Sequence, residues 1–475
     1  MHASNFYIYL SLMFTALVAY LFFRYLYWGI KARLIYWRKA EPNSLIRLLA
    51  DAKEDNVTLP FFTIFIPARD EADVIANTIE HLAALNYPGD RYELVVITDE
   101  KELKNKFNPA IPTTQDIVEE KIAEFTGAAG KPTIKHVMVP YDFDGRLSGR
   151  CSGKEVASTK ARALNFGIRY VNQETAVCSY FDAESRPEKN ILLYIAYRYL
   201  ATGGRQKLWQ GPVFQVRNFY QLGPLNKVIA LYQALAHDWY LPILMQDLPF
   251  LGGTNLHVER NLLLKIGGYD HTALSEDLEL GVRAYLETGE WPEYLPMVST
   301  EQTPAKYKGY YRQRLRWGSG HLQVFDKLKS STRYPKQASL PLLKTLFWKG
   351  HAQWYLYQTL LIVPLSFLTL TVQGGMEPAA LPTEIRTAFS LLLPLYYSFT
   401  FYLFFRYRKY IDFSLAPLGI LKYMAVIQLA IFPIAGFFIA LPFTSALLLR
   451  AVHRQPLAWV KTPRTQELKS KAPSS

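Results

Sequence analysis

The distribution of apolar residues limits this chain more tightly than any motif in it. From Phe6 to Phe23 the sequence is apolar apart from Ser11, Thr15 and a few tyrosines, about the length a helix needs to cross a bilayer. Arg24, Lys31, Arg33, Arg38 and Lys39 follow, with Trp28 and Tyr36 among them. Basic flanks stay on the cytoplasmic side, which predicts an outside amino terminus and a cytoplasmic domain after it. The rival for this segment is a cleaved signal peptide, which would need a basic n-region and a small-residue cleavage site that are not found here. Beyond Tyr334, apolar and aromatic stretches recur over 354–372, 388–405 and 418–449. The joint Arg406-Tyr407-Arg408-Lys409 predicts a cytoplasmic turn, whereas the joint around 374–384 carries no Lys or Arg. Pro433, Gly436 and Pro442 leave the last stretch open between a kinked helix and a bent-back one, and the tail with Arg450, Arg454, Lys461 and Arg464 favours a cytoplasmic end.

Between these ends the pattern is that of a soluble α/β domain. Strand-prone runs at Phe61–Ile66, Tyr92–Thr98, Thr133–Val139 and Ala176–Phe181 alternate with helical segments. In one of these, Ala161, Leu164, Ile168 and Val171 recur at steps of three and four, an apolar stripe. Alternating strands and helices predict a mostly parallel sheet whose ligands bind beyond the carboxyl ends of its strands. The expected organisation is therefore a transmembrane helix (1–30), a cytoplasmic linker (31–59), an α/β domain (60–330), an interfacial segment (331–352), transmembrane or interfacial helices (353–450) and a basic polar tail (451–475).

Composition narrows the function. A formal net charge of +13 suits nucleic acid, an anionic bilayer or phosphate-bearing substrates. The basic residues form no long run and cluster beside the apolar stretches, so no nucleic-acid partner is expected. Two cysteines, Cys151 and Cys178, exclude a disulfide framework, and no HExxH or HxxxH pattern supports a zinc hydrolase.

The chemistry-bearing residues lie where the sheet's carboxyl edge is expected. Asp70 and Glu71 follow the first strand and suit the first turn of a helix, where the dipole favours acids. Asp99, at the end of the second, can accept hydrogen bonds from a nucleobase or ribose, or serve as an ordinary turn acid. Asp182 and Glu184, at i and i+2 past the fourth, can converge on one divalent cation or form an acidic turn. Ser275-Glu276-Asp277-Leu278-Glu279 reads either as compensation of a helix dipole or as the seat of a general base. In Gln313-Arg314-Leu315-Arg316-Trp317, a helix puts Gln313, Arg316 and Trp317 on one face, with Gly320 continuing it and leaving room for a ligand. That face offers an amide, a guanidinium for phosphate and an indole for a sugar ring, unless it is simply an amphipathic surface on the bilayer.

Taken in order, Asp99, Asp182, Asp277 and the Gln313–Trp317 segment resemble the D, D, D, Q(Q/R)xRW signature of membrane-integrated family 2 glycosyltransferases, which include cellulose, hyaluronan, chitin and poly-N-acetylglucosamine synthases. Thirty-five residues separate Asp277 from Gln313, a spacing typical of that family, and Lys160-Ala161-Arg162-Ala163-Leu164-Asn165 resembles its GKAxALN segment. The resemblance implies a GT-A-type nucleotide-sugar domain with flanking transmembrane helices, held in the plasma (inner) membrane with its catalytic domain cytoplasmic. It implies that Asp277 is the catalytic base and that Asp99 contacts the nucleoside. Lys160, Gln313, Arg314 and Arg316 would attend the diphosphate, and Trp317 the acceptor sugar. Asp182 and Glu184 would hold Mg²⁺ or Mn²⁺. The implied partners are a nucleotide-sugar donor, most commonly a UDP-sugar, a glycan or lipid acceptor, and membrane lipids; oligomeric state is not indicated. Glu184 stands where Asp is usual, Ser275 where Thr is common, and no FxVTxK loop follows Trp317, so cellulose is not the expected product. A processive polysaccharide synthase is the first expectation, a glycolipid synthase the second and a non-catalytic membrane scaffold the third.

Overall fold

The strand-prone runs of the sequence become one end of a seven-stranded sheet. The computed structural model describes residues 2–35, 42–54, 57–104, 111–332, 336–348, 383–411 and 432–452. Its strands are β1 (Phe61–Pro67), β2 (Tyr92–Asp99), β3 (Thr133–Val139), β4 (Thr175–Tyr180), β5 (Arg186–Pro187), β6 (Leu208–Gln210), β7 (Val213–Phe214), β8 (Leu256–Glu259), β9 (Glu293–Tyr294) and β10 (Ser299–Thr300). The large sheet runs β3-β2-β1-β4-β8-β6-β9, and β5-β10-β7 form a small second one. β3, β2, β1 and β4 pair in parallel, as do β6 and β9, while β8 is antiparallel to both neighbours. Six strands thus run one way and β8 opposes them, a mixed but mostly parallel α/β sheet.

The continuous apolar runs of β1 and β2 are explained by helices on both faces. Phe62, Ile64, Ile66, Leu94 and Val96 pack with Ile75, Ile79 and Leu82 of the Ile75–Leu82 helix and with Val118 of the Thr114–Phe125 helix. The alternate residues Phe65, Val95 and Ile97 pack on the other side, against Ala161, Leu164 and Ile168. The stripe predicted from 161 to 171 is real, but the Lys160–Ile168 helix ends before Val171, which still packs on that core.

Register decides what meets at the sheet's carboxyl edge. β8 enters where β4 leaves, with Tyr180 opposite Leu256, so the Gly252–Thr254 loop lies beside Asp182. Asp70 and Glu71 do not open a helix. Asp70 has a positive φ of 55° and the helix begins only at Ile75, because Glu102 accepts the Asp70 N–H at 2.8 Å and Thr114 the Glu71 N–H at 2.8 Å, which satisfies a loop instead.

The flanking helices share a second apolar core with the domain. Trp28 of the His2–Ile35 helix, Leu403, Phe404 and Tyr407 of the Thr383–Tyr407 helix, and Ala435 of the Phe432–Val452 helix pack with Leu231, Leu235 and Trp239. At Gly29 a Cβ would sit 2.6 Å from the Trp239 ring, so only glycine lets the first helix approach this closely. Each Leu or Phe so buried contributes about 1.5–3 kcal/mol. Among the described residues no helix is long and apolar enough to cross a membrane. The apolar stretch 6–23 lies within the His2–Ile35 helix, 388–405 within the Thr383–Tyr407 helix, and the end of 418–449 within the Phe432–Val452 helix. The expected stretch 354–372 and the basic tail 453–475 lie outside the described residues, as does 418–431.

Asn165 ties two loops to this frame. Fully buried, it donates to the carbonyls of Gly145 and Tyr269, each at 2.8 Å, and accepts the Tyr269 N–H at 2.8 Å. Asn165→Ala leaves those backbone groups buried and unpaired, so thermal or urea unfolding should report a loss of about 2–4 kcal/mol.

Candidate active site

A cleft of about 220 Å³ opens at the carboxyl edge of β1, β2 and β4. Asp99, Lys160, Asp182, Asp277, Gln313, Arg316 and Trp317 all line it, so seven of the expected residues come together from five separate segments. Glu184 and Arg314 are not among its lining residues.

At one end Asp99 is nearly buried and accepts a hydrogen bond from Arg162 Nη1 at 2.9 Å. Arg162 also donates to the carbonyls of Phe143, at 2.9 Å, and Pro140. Its side chain is 1% exposed, so the pair is held in one geometry. The residue types in the Lys160–Asn165 segment were visible in the sequence, but the pairing of Arg162 with Asp99 was not, since 63 positions separate them.

In the middle of the cleft Lys160 Nζ bonds both the Asp182 carboxylate and the Gly253 carbonyl. Lys160 is the first residue of a helix whose cap is Thr159, which accepts the Arg162 N–H at 3.2 Å. Burial opposes its charge, but Asp182, Glu276 and Asp277 outweigh that and raise its pKa above the ordinary lysine value. The Asp182 N–H is fixed by Ser185 Oγ at 3.1 Å and Thr254 Oγ1 at 3.2 Å. Residues 182–185 form a turn, closed by the Ser185 N–H on the Asp182 carbonyl at 2.9 Å. This turn sends Asp182 to the cleft and leaves Glu184 fully buried outside it.

Above them Glu276 and Asp277 open the Glu276–Thr288 helix, and both line the cleft. Glu276 has no role in the sequence reading beyond its place in the acidic run. Burial, then the neighbouring Asp277, pushes the Glu276 carboxyl up to about 7, against the pull of Lys160 and Arg316. Burial likewise raises Asp277, opposed by the Leu278 N–H, which donates to it at 2.8 Å, and by Lys160 and Arg316. The two carboxyls titrate as a pair beside two cations.

The Tyr307–Ser330 helix closes the cleft. Gln313 is buried, and its Oε1 has no hydrogen-bond partner among the described residues. Arg316 Nη1 donates to the Leu274 carbonyl at 3.2 Å, just before the acidic pair. Arg314 faces elsewhere: it donates to Gln215 Oε1 at 2.9 Å and its guanidinium lies 3.8 Å from the Trp317 ring centroid. Helical geometry separates it from Gln313 and Arg316, and it meets the cleft through two lining residues, Gln215 and Trp317. The expectation for Gly320 is corrected: a Cβ there would lie 2.2 Å from Ser275 Oγ, so the glycine seats the acidic loop and leaves no room for a ligand. At the far end of the cleft, beside Gln215 and Gln233, burial and then Arg314 hold the His237 imidazole down to about 3, so it is neutral at neutral pH.

Among the described residues no group of three or more His, Cys, Asp or Glu side chains could hold a metal. Asp182 offers one carboxylate, with the Gly253 carbonyl beside it. Mg²⁺ and Mn²⁺ at diphosphates are often held by one or two carboxylates, with phosphate and water completing the shell. The donor set fits an ion that arrives with a diphosphate and does not fit a preformed cage.

The raised carboxyls make stability depend on pH. An acid whose folded pKa is raised stabilises the fold fully below its unfolded value and loses that contribution as pH rises through the folded one. For Glu276 the window runs from 4.5 to about 7. Urea midpoints of the ligand-free protein should fall across that window, and Glu276→Gln should flatten the decline.

Known proteins resemble this chain in sequence and fold. Residues 179–440 match the family described as Glycosyl transferase family group 2. A probable glycosyltransferase, YdaM, of Bacillus subtilis (strain 168) is 28% identical over 286 residues, 58% of each chain. Glucomannan 4-beta-mannosyltransferase 9 of Arabidopsis thaliana is 23% identical over 67% of this chain and 56% of its own. Beta-monoglucosyldiacylglycerol synthase of Synechocystis sp. is 24% identical over 60% of this chain and 53% of its own. The chain thus spans little more than half the length of the curated relatives it matches. The mannosyltransferase PcManGT of Pyrobaculum calidifontis, solved with GDP-Man and Mn²⁺, superposes with a TM-score of 0.50 at 19% identity, over 91% of this chain and 99% of that one. The fold is accordingly GT-A-like, and with more than half of its length matched the chain belongs to glycosyltransferase family group 2.

Proposed function

We propose that the protein is an inverting hexosyltransferase that moves a sugar from a nucleoside-diphosphate donor to a growing β-linked glycan at a membrane surface. The observation that carries this reading is one cleft with a buried acid–arginine pair at one end, cations in the middle, a raised carboxyl pair above them and an indole at the mouth. Asp99, fixed by Arg162, accepts hydrogen bonds from the nucleoside. Lys160 and Arg316 lie near the diphosphate and balance the charge that grows on its leaving oxygen as the glycosidic bond breaks. A divalent cation held by Asp182 would neutralise the diphosphate when bound. Asp277 takes the proton from the acceptor hydroxyl, whose oxygen attacks the anomeric carbon from the side opposite the diphosphate. The buried Gln313 amide oxygen accepts from a sugar or ribose hydroxyl. Trp317, with one face covered by Arg314, offers its cleft side to the acceptor ring.

The membrane part of the proposal rests on side chains rather than on a spanning helix. Tyr9, Leu12, Tyr20, Phe23, Tyr27, Ile30 and Leu34 are exposed at steps of mostly three and four along the His2–Ile35 helix, opposite the buried Trp28 and Ala32. Such a row suits contact with lipid, with the catalytic domain on the cytoplasmic side. Transfer of one or a few sugars to a lipid acceptor is the second reading, favoured by the likeness to the beta-monoglucosyldiacylglycerol synthase.

Asp277→Asn should lower transfer by about 10²–10⁴-fold while leaving donor affinity nearly unchanged, measured as nucleoside-diphosphate release and by calorimetry with a panel of donors and Mg²⁺ or Mn²⁺. Equal loss of both would remove Asp277 from the role of base. Trp317→Ala should shorten the product or abolish it. An unchanged size distribution on gel filtration would assign the indole to packing alone, and release that stops after one sugar on added lipid would select the glycolipid reading.

A further inference from the structure

A second cavity, of about 340 Å³, lies apart from the cleft, where two flanking helices end against the domain. Its volume falls within the roughly 300–1,000 Å³ common for small-molecule sites. Arg33 comes from the last turn of the His2–Ile35 helix, and Arg406 and Tyr407 from the last turn of the Thr383–Tyr407 helix. Lys409 and Tyr410 lie in the turn after that helix, and Asp238 in the turn Ala236–Tyr240 of the domain.

The charges in this cavity do not cancel. Arg406 pairs with Asp238, and the Tyr407 hydroxyl donates to the same carboxylate at 2.9 Å. Arg33 and Lys409 have no carboxylate partner among the described residues; both are exposed, and Lys409 lies 4.6 Å from the Tyr410 ring centroid. Three cations against one acid make a site for an anion. The surroundings identify what carries that anion. The exposed row Tyr20, Phe23, Tyr27, Ile30 and Leu34 runs down one helix to Arg33. A second row, Leu391, Leu395, Tyr402 and Phe405, runs down the other to Arg406. The two helices touch at Phe22 and Phe399, ring centroids 5.7 Å apart, so both rows lead to one cavity. A free phosphate has no use for such rows, whereas an amphiphile matches both parts.

We propose that this cavity binds the phosphate of an anionic membrane lipid, with Arg33 and Lys409 as its cations and the acyl chains along the two apolar rows. The proposal rests on the membrane attachment in the proposed function and not on the transfer chemistry. A lipid held there joins the two helices at the face of the domain that carries Asp238 and Trp239.

The test uses the full chain in detergent micelles, probed with phosphatidylglycerol and phosphatidylcholine by native mass spectrometry. Phosphatidylglycerol should be retained at least about tenfold better, and R33Q/K409Q should weaken its retention by about tenfold to thirtyfold, given roughly 1 kcal/mol per cation beside an anionic headgroup. K131Q/R205Q, which removes two exposed cations elsewhere, should leave retention unchanged. Equal retention of the two lipids, or no effect of R33Q/K409Q, would overturn the site. Competition by inorganic phosphate or glycerol phosphate as strong as by the lipid itself would overturn the lipid as its ligand. Nucleoside-diphosphate release from the same preparations separates the two readings. Lipid preference lost with turnover intact removes this site alone, and lipid preference kept with no turnover from any donor removes the proposed function alone.

Discussion

The ammonium of Lys160 is the charge on which the cleft depends. Asp182, Glu276 and Asp277 are gathered into one partly dry space, and carboxylates so gathered repel one another and lose hydration. Lys160 bonds Asp182 directly, lowers the cost of ionising the pair above, and is itself held by the Gly253 carbonyl. It reaches all of them because a capped helix starts at that residue and because β8 runs against β4. Removing the reversed strand would take the Gly252–Thr254 loop to the far side of the sheet.

The charged pairs divide the work by burial. Arg162 and Asp99 are locked together by a guanidinium whose other nitrogens are spoken for by two carbonyls, which holds the Asp99 carboxylate rigid. Glu276 and Asp277 are instead both raised toward neutrality by burial, Glu276 also by Asp277, against the pull of Lys160 and Arg316. Under the proposed function, the rigid end of the cleft serves binding and the carboxyl pair serves proton transfer. The Tyr307–Ser330 helix couples this chemistry to the flanking helices. Gly320 seats the acidic loop on one side of it, and Tyr310 donates to the Ile439 carbonyl of the Phe432–Val452 helix on the other, at 3.3 Å. The catalytic domain and its flanking helices consequently share an apolar core instead of being joined only by linkers.

Much of this was legible in the residues. The four strand-prone runs became β1 to β4 nearly to the residue, most plainly β1 and β2, because strands buried on both faces need unbroken apolar sequence. Six acids, amides and cations of the ordered motifs, with Trp317, line one cleft, because ligands of parallel sheets lie beyond the strands' carboxyl ends. Glu184 and Arg314 are not among the residues lining that cleft, for local reasons. The turn at 182–185 buries the Glu184 side chain beneath the cleft lining, and the helix turns Arg314 onto Trp317 and Gln215. Asp70 and Glu71 looked like helix-opening acids, yet loop hydrogen bonds to Glu102 and Thr114 proved the better partners.

Sequence by itself determined the order of elements, the apolar faces and the kinds of chemistry available, since periodicity and residue type are local properties. Only the tertiary structure decided the pairings: Arg162 with Asp99, Lys160 with Asp182 and Gly253, Gly320 with Ser275, and Arg33 with Lys409 around one cavity. Each joins positions far apart in the chain, and a long-range contact is set by strand register and helix packing, quantities that no local pattern of residues contains.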